Sequence, residues 1–208
     1  MSRAEELRRA IAQEAARIMS EHGIDDYLLA KRKAAERLGA TDSALLPKNT
    51  EIEAALVEYQ RLFAADSHSR SLKEQRRAAL IAMQLLQEFE PRLVGPVLSG
   101  TATEYADVDL HLFADRAEAV LLKLLERGIR HELAERRVKM FTDRSINLPA
   151  VRFEAGERVI DATVFPIDGI RQAPCSPVDG RPMRRAGATE LKSLLEEGAR
   201  SGVSGLSE

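Results

Sequence analysis

Two aspartates with a single valine between them, Asp107 and Asp109, head the alternating segment Asp107-Val-Asp-Leu-His-Leu-Phe113. Strict alternation predicts a strand, and side chains two apart on a strand share a face. Asp107, Asp109, His111 and Phe113 therefore fall on one side. Val108, Leu110 and Leu112 fall on the other, the side that must pack. Acids one such step apart, roughly 6–7 Å, can grip a pair of magnesium ions about 4 Å apart, the spacing used to clamp attacking and leaving oxygens. Left without a cation, two neighbouring carboxylates repel and one keeps its proton. Mg2+ resolves this because it prefers oxygen ligands, and phosphate oxygens complete its shell.

A third acid, Asp161, lies inside the apolar run Glu157–Phe165. An acid there needs a partner. A two-residue hairpin turn at Ala155-Gly156 would pair Ala150 with Asp161 and Arg152 with Val159, setting Arg152 diagonally beside Asp161 on the same face. Arg152 then either neutralises Asp161 structurally or joins it in holding phosphate and metal. Ahead of the acids, Ser99-Gly100-Thr101 closes the apolar segment Arg92–Leu98, which reads as a short strand. Glycine lets the backbone approach a phosphate closely, and the flanking hydroxyls can donate to it.

The elements that must position these residues fall into two parts. Residues 1–90 read as helices. The first covers 3–20, a second runs from an Asp25 or Asp26 cap to about Leu38, and a third is capped by Thr50 with Glu53 three residues on. A fourth is opened by Ser71 and Glu74 and ends before Pro91. From residue 92 the pattern changes to strands 92–98, 107–113, 131–140, 150–154 and 157–165. Asp115 is the expected cap of a helix closed by Gly128. Residues 168–187 form a Pro/Gly/Arg loop, Thr189 caps a last helix, and 198–208 read as a disordered tail. The fold class is α+β, a helical N-terminal half followed by a mixed sheet with flanking helices.

Composition narrows the function. At 44% hydrophobic and 31% charged residues the chain is globular, and a net charge of −2 argues against a nucleic-acid binder held by bulk charge. Four scattered histidines and the lone Cys175 argue against zinc. No apolar run reaches the ~20 residues of a membrane helix and no signal core opens the chain, so a cytoplasmic location is expected. His111 reads as a core or supporting histidine. Arg136, Arg137 and Lys139 read as an exposed edge strand, with lining of a phosphate site as the alternative. Arg181, Arg184 and Arg185 read as an exposed loop, with contact to a triphosphate or RNA as the alternative.

The order of these motifs is an apolar segment ending in Leu98-Ser-Gly-Thr101, then Asp107-Val-Asp109, then Val159-Ile-Asp161. It resembles the DNA polymerase beta-like nucleotidyltransferase superfamily over about residues 92–166. Six residues separate Gly100 from Asp107, fewer than in most members, and Gly-Thr stands where Gly-Ser is commoner. The resemblance implies a nucleotidyltransferase-like domain over 91–197. Asp107, Asp109 and Asp161 would hold two Mg2+ ions (Mn2+ being an alternative), and Ser99, Gly100, Thr101 and Arg152 would bind nucleotide. The reaction implied is in-line transfer of a nucleoside monophosphate, AMP if ATP is the donor, to a hydroxyl of a protein, RNA or small molecule. The alternative is an inactive nucleotide-binding or protein-interaction module on the same fold.

Overall fold

Capping and burial explain where the helices begin and what they cover. The computed structural model describes residues 2–40, 42–140 and 144–203, with side chains described as far as Gly198. Helix α1 (Arg3–His22) opens on a capping box in which Ser2 accepts from the Glu5 amide and Glu5 accepts from the Ser2 amide. Helix α2 (Tyr27–Arg37) is capped by Asp26 through the Leu29 amide. Helix α3 (Asn49–Phe63) starts ahead of the expected Thr50 cap, because the Glu51 carboxylate takes the Lys48 amide at 2.7 Å. Helix α4 (Ala65–Leu85) also begins early and carries Ser71 in its interior.

The molecule divides into two compact units. The first comprises residues 1–71, 101–106 and 177–180, and the second 72–100, 107–176 and 181–208. In the first, Ile11, Ala15 and Ile18 of α1 pack with Ala30 and Ala34 of α2 and Ile52 of α3. The two inserted segments are held by side-chain amides. Gln60 donates to the Thr101 carbonyl at 3.1 Å, and Asn49 to the Pro177 carbonyl at 2.7 Å.

The second unit is built on a five-stranded sheet. Its strands are β1 (Arg92–Leu93), β2 (Val108–Phe113), β3 (His131–Lys139), β4 (Ser145–Ala155) and β5 (Arg158–Phe165), in the order β1-β2-β5-β4-β3. The central β2–β5 pair is parallel and every other pair is antiparallel, so the sheet is mixed and the fold α+β. One sheet face carries Val108, Leu110, Leu112, Ile160, Ala162 and Val164, all buried. Helix α6 (Ala117–Glu126) buries Val120 and Leu124 and ends at Gly128 in the left-handed region. Arg116, not Asp115, occupies its N-cap, with no side-chain bond. Helix α7 (Ala188–Val203) extends into the tail expected to be unstructured, and 204–208 lie outside the described residues.

Two expectations are corrected here. Residues 92–98 are not one strand. β1 stops at Leu93, and helix α5 (Gly95–Ser99) follows, with Pro96 in its first turn and Gly100 as its C-cap. A short apolar run does not distinguish strand from helix by period, and the Gly-Pro pair decides for a helix start. The β4–β5 turn is Gly156-Glu157, one residue later than Ala155-Gly156, with Gly156 at φ 65° in the first loop position. That moves the pairing by two residues, so Arg152 lies directly opposite Asp161 instead of diagonal to it.

Candidate functional site

The second sheet face is polar at one end. Register puts Asp109, Asp161, Arg152 and Glu132 in one row across β2, β5, β4 and β3. The parallel β2–β5 pairing sets Asp109 directly opposite Asp161, and Asp107 precedes β2 on the same side. Arg152 ties the outer acids together. Its Nη2 donates to Asp107 Oδ2 at 2.6 Å, and its Nε is 3.9 Å from Asp161 Oδ2. Arg136 of β3 also pairs with Asp161 Oδ2. The intervening row holds His111 on β2 and, on the strands between Arg136 and Asp161, only Thr163, Ala150 and Ala134, so nothing bulky separates the two.

Burial is uneven across this cluster. The Asp161 side chain is 4% exposed, whereas Arg136 and Arg152 are 49% and 43% exposed. Asp161 Oδ1 is buried and has no hydrogen-bond partner among the described residues. Asp109 is partly buried, and its carboxylate faces Gly95. A Cβ on Gly95 would sit 2.8 Å from Asp109 Oδ2, and Gly95 has φ 68°. The junction between β1 and α5 therefore needs glycine on two counts, backbone conformation and room for the carboxylate.

Ser99 and Gly100 occupy a different setting from the strand-end loop expected of them. Ser99 is the last residue of α5, with its hydroxyl donating to the Pro96 carbonyl, and Gly100 is the C-cap. Arg76 closes that helix end by donating from Nε to the Val97 carbonyl and from Nη2 to the Leu98 carbonyl. Carbonyls at a helix C-terminus present partial negative charge, which suits a guanidinium and not a phosphate. Thr101 is buried and belongs to the first unit. The glycine that meets the acids is Gly95, and eleven residues, 96–106, separate it from Asp107.

The other end of this face is closed and apolar. Phe113, Phe165 and Leu148 pack with Ile146 and Val138. Between the two ends lies His111, buried, with its ring 4.5 Å from that of Phe165. Arg185 covers it. The paired backbone bonds between Leu93 and Ala186 hold this segment beside β1. Arg185 then stacks its guanidinium 4.9 Å from the Phe113 ring centroid and 5.0 Å from that of Phe165. Its Nε donates to His111 Nδ1 at 3.0 Å and its Nη1 to the Gly169 carbonyl at 2.8 Å. Burial, and then the nearby Arg185 charge, push His111 down to about 3. The neutral ring is the form that can accept the Arg185 bond. Burial and the Arg92 charge lower Arg185 to about 10.

Sequence reasoning named Asp107, Asp109, Asp161 and Arg152: Arg152 bonds Asp107 and lies near Asp161, while Asp109 is opposite Asp161 in register with its carboxylate facing Gly95. It missed Gly95, signalled by the Gly-Pro pair, and it weighed Arg136 for a phosphate site but preferred an exposed edge strand, whereas Arg136 pairs with Asp161. It read Arg185 as an exposed loop residue, whereas Arg185 is half-buried over the phenylalanines. A cleft of about 1340 Å³ opens at the hairpin end, lined by Arg130, His131, Glu132, Phe153 and Glu154, with Arg152 joining it to the carboxylates. As placed, no three His, Cys, Asp or Glu side chains among the described residues are set to hold a metal ion. Likewise, no helix among them is long and apolar enough to cross a membrane. Comparison with family models, curated proteins and solved structures gives no match for this chain.

Proposed function

We propose that the chain is a divalent-cation-dependent nucleotidyltransferase of the DNA polymerase beta-like kind. It would move a nucleoside monophosphate, AMP if ATP is the donor, to a hydroxyl acceptor. The observation that carries this reading is the direct register of Asp109 with Asp161 on parallel strands, with Asp107 drawn in through Arg152. As placed the three side chains do not form a ready metal cluster, but their chemistry, carboxylate oxygen alone, suits Mg2+ or Mn2+. The donors are three carboxylates, one buried oxygen of Asp161 lacks a partner among the described residues, and Gly95 leaves the Asp109 carboxylate room that any other residue would fill. Asp107, Asp109 and Asp161 would hold the cations. When bound, these neutralise charge on the reacting phosphate and favour the ionised acceptor hydroxyl.

The chain's own part is positioning and charge. Arg152 and Arg136, with half-exposed planar forks, are suited to hold phosphate oxygens beside the acids. The helix cap at Ser99 and Gly100 takes no part in this reading, and Gly95 assumes the close-approach role. Transfer forms a bond from the acceptor oxygen to the α-phosphorus as the bond to pyrophosphate breaks, and the acceptor's proton passes to solvent. The cleft lined by Arg152 offers space for an acceptor beside the acids.

The test is release of pyrophosphate and transfer of label from each α-labelled nucleoside triphosphate with Mg2+ or Mn2+. Protein, RNA and small hydroxyl compounds serve as acceptors. Turnover by the wild type, lost in Asp109→Asn, is the expected result. No release with any triphosphate across the panel sinks it. A second reading, an inactive nucleotide-binding module, draws on the guanidinium groups already lodged on Asp107 and Asp161. Calorimetry showing nucleotide binding without turnover would select it.

A further inference from the structure

The acid end of the sheet face holds three aspartates, Glu132 on β3 opposite Arg152, and two guanidinium groups, and the partners of Asp161 differ sharply from it in burial. Asp161 is almost fully enclosed, while the arginines that neutralise it are about half in solvent. A carboxylate so buried stays ionised only with a counter-charge beside it. A half-exposed arginine has no comparable need, since water can solvate it. The dependence therefore runs one way: Asp161 requires a cation, but nothing requires that cation to be arginine.

We propose that Arg136 and Arg152 are exchangeable counter-ions, neutralising Asp161 and Asp107 in the metal-free protein and passing to the phosphates of the incoming nucleotide when divalent cations take the carboxylates. This rests on the nucleotidyltransferase reading above and adds how the same groups serve both states. Three features support it. First, Asp161 Oδ1 has no hydrogen-bond partner among the described residues while Oδ2 takes both arginines, so one oxygen of the carboxylate is uncommitted in the metal-free protein. Second, Arg152 spans Asp107 and Asp161, so its departure frees Asp107 and leaves Asp161 with Arg136 alone. Third, guanidinium does not lose its proton in the ordinary pH range, so these arginines leave only if a cation displaces them and an anion receives them. A metal–polyphosphate supplies both at once. Arg185, on the same face, is the contrast. Its bonds go to His111 and main-chain carbonyls and its plane is stacked on rings, so no incoming cation competes for its partners.

The experiment uses the full chain without nucleotide, measuring Mn2+ binding by electron paramagnetic resonance of the free ion and thermal melting in EDTA or in Mg2+. Arg136→Gln and Arg152→Gln are each expected to tighten Mn2+ binding several-fold, and the double variant about tenfold or more, the size of one lost charged competitor. The variants should melt below wild type in EDTA and recover most of that loss in Mg2+. Binding of a non-hydrolysable ATP analogue with Mn2+ should weaken by about tenfold. Should the double variant fail to fold in EDTA, Arg136→Lys, which keeps the charge but not the fork, is expected to bind Mn2+ as weakly as wild type and the analogue less well.

Mn2+ affinity unchanged or weakened in the glutamine variants would overturn the exchange and make the arginines fixed partners. If that binding still vanished in Asp109→Ala, the metal site would stand and only the exchange would fall. Mn2+ binding that persists in Asp107→Ala/Asp109→Ala, or that no form shows, would remove the metal site and the exchange with it.

Discussion

At one end of the sheet face Arg136 and Arg152 meet carboxylates and stay half in solvent. At the other, Arg185 lies on two phenylalanine rings with His111 beneath it. The same side-chain type is exchangeable in the first place and structural in the second, and the difference is what surrounds it. Among acids a guanidinium neutralises charge that another cation can take over. Over aromatic rings, with Nε committed to an imidazole and Nη1 to two carbonyls, it finishes a core. Residue type alone therefore does not distinguish a ligand-handling arginine from a packing one; its partners' burial and charge do.

The comparison can be broken most decisively at the acid end. Asp109→Asn and Asp161→Asn keep side-chain volume and remove charge. Each is expected to lower turnover by about a thousandfold or more, roughly 4 kcal/mol of transition-state stabilisation. Pyrophosphate release checks this, and melting should show both variants folded. Equal turnover would leave the acid end no more functional than the aromatic end.

At the aromatic end the expected loss is of stability. Phe165→Ala deletes a ring that packs on Phe113, His111 and Arg185 and should cost about 3–5 kcal/mol in urea unfolding. A cost below about 1 kcal/mol would deny that this end is core.

His111 sharpens the contrast through pH. Its folded value of about 3 lies below the ordinary 6.5, so the unfolded chain binds its proton first on acidification. The stabilisation is complete above pH 6.5 and falls as pH drops towards 3, by at most about 1.4 kcal/mol per unit. Below the folded value this group adds no further loss. The slope should be reduced in His111→Phe when unfolding is followed from pH 7 to pH 4, and an unchanged slope would show that the ring is not held neutral.

Gly95→Ala is expected to cost about 1–2 kcal/mol for the left-handed backbone. It should also lower turnover by more than that destabilisation explains, because the new methyl displaces the Asp109 carboxylate. Normal kinetics would detach Gly95 from the site. The smallest effect belongs to a solvated pair, Arg158–Glu74, with N–O 2.8 Å and the glutamate 51% exposed. Glu74→Ala should change stability by no more than about 0.5 kcal/mol, which sets the scale for a surface pair against the Asp161 cluster.

Much of this arrangement was legible before any coordinates. The alternation in 107–113 and 157–165 placed the acids opposite the apolar residues, and the helix at 117–126 with its Gly128 stop was readable from spacing. The hairpin turn was misplaced by one residue, yet Arg152 kept its face, because that error moves the register by two and a strand repeats every two. The segment 92–99 was misread because an apolar run of that length suits either element, and the phosphate-loop role went to Gly100 as a result. Arg136 was hidden by its surroundings, since a basic residue on an edge strand ordinarily faces solvent.

Local pattern determined the strand faces and most of the helices and singled out three acids and one arginine as candidates, because period and residue type are properties of contiguous chain. Tertiary structure alone decided that β5 lies parallel beside β2 in the register that sets Asp109 opposite Asp161. It also decided that Arg136 reaches inward from β3 and that Gly95 meets an acid. Strand order and register depend on which faces can be buried together across distant segments, and no local repeat encodes that choice.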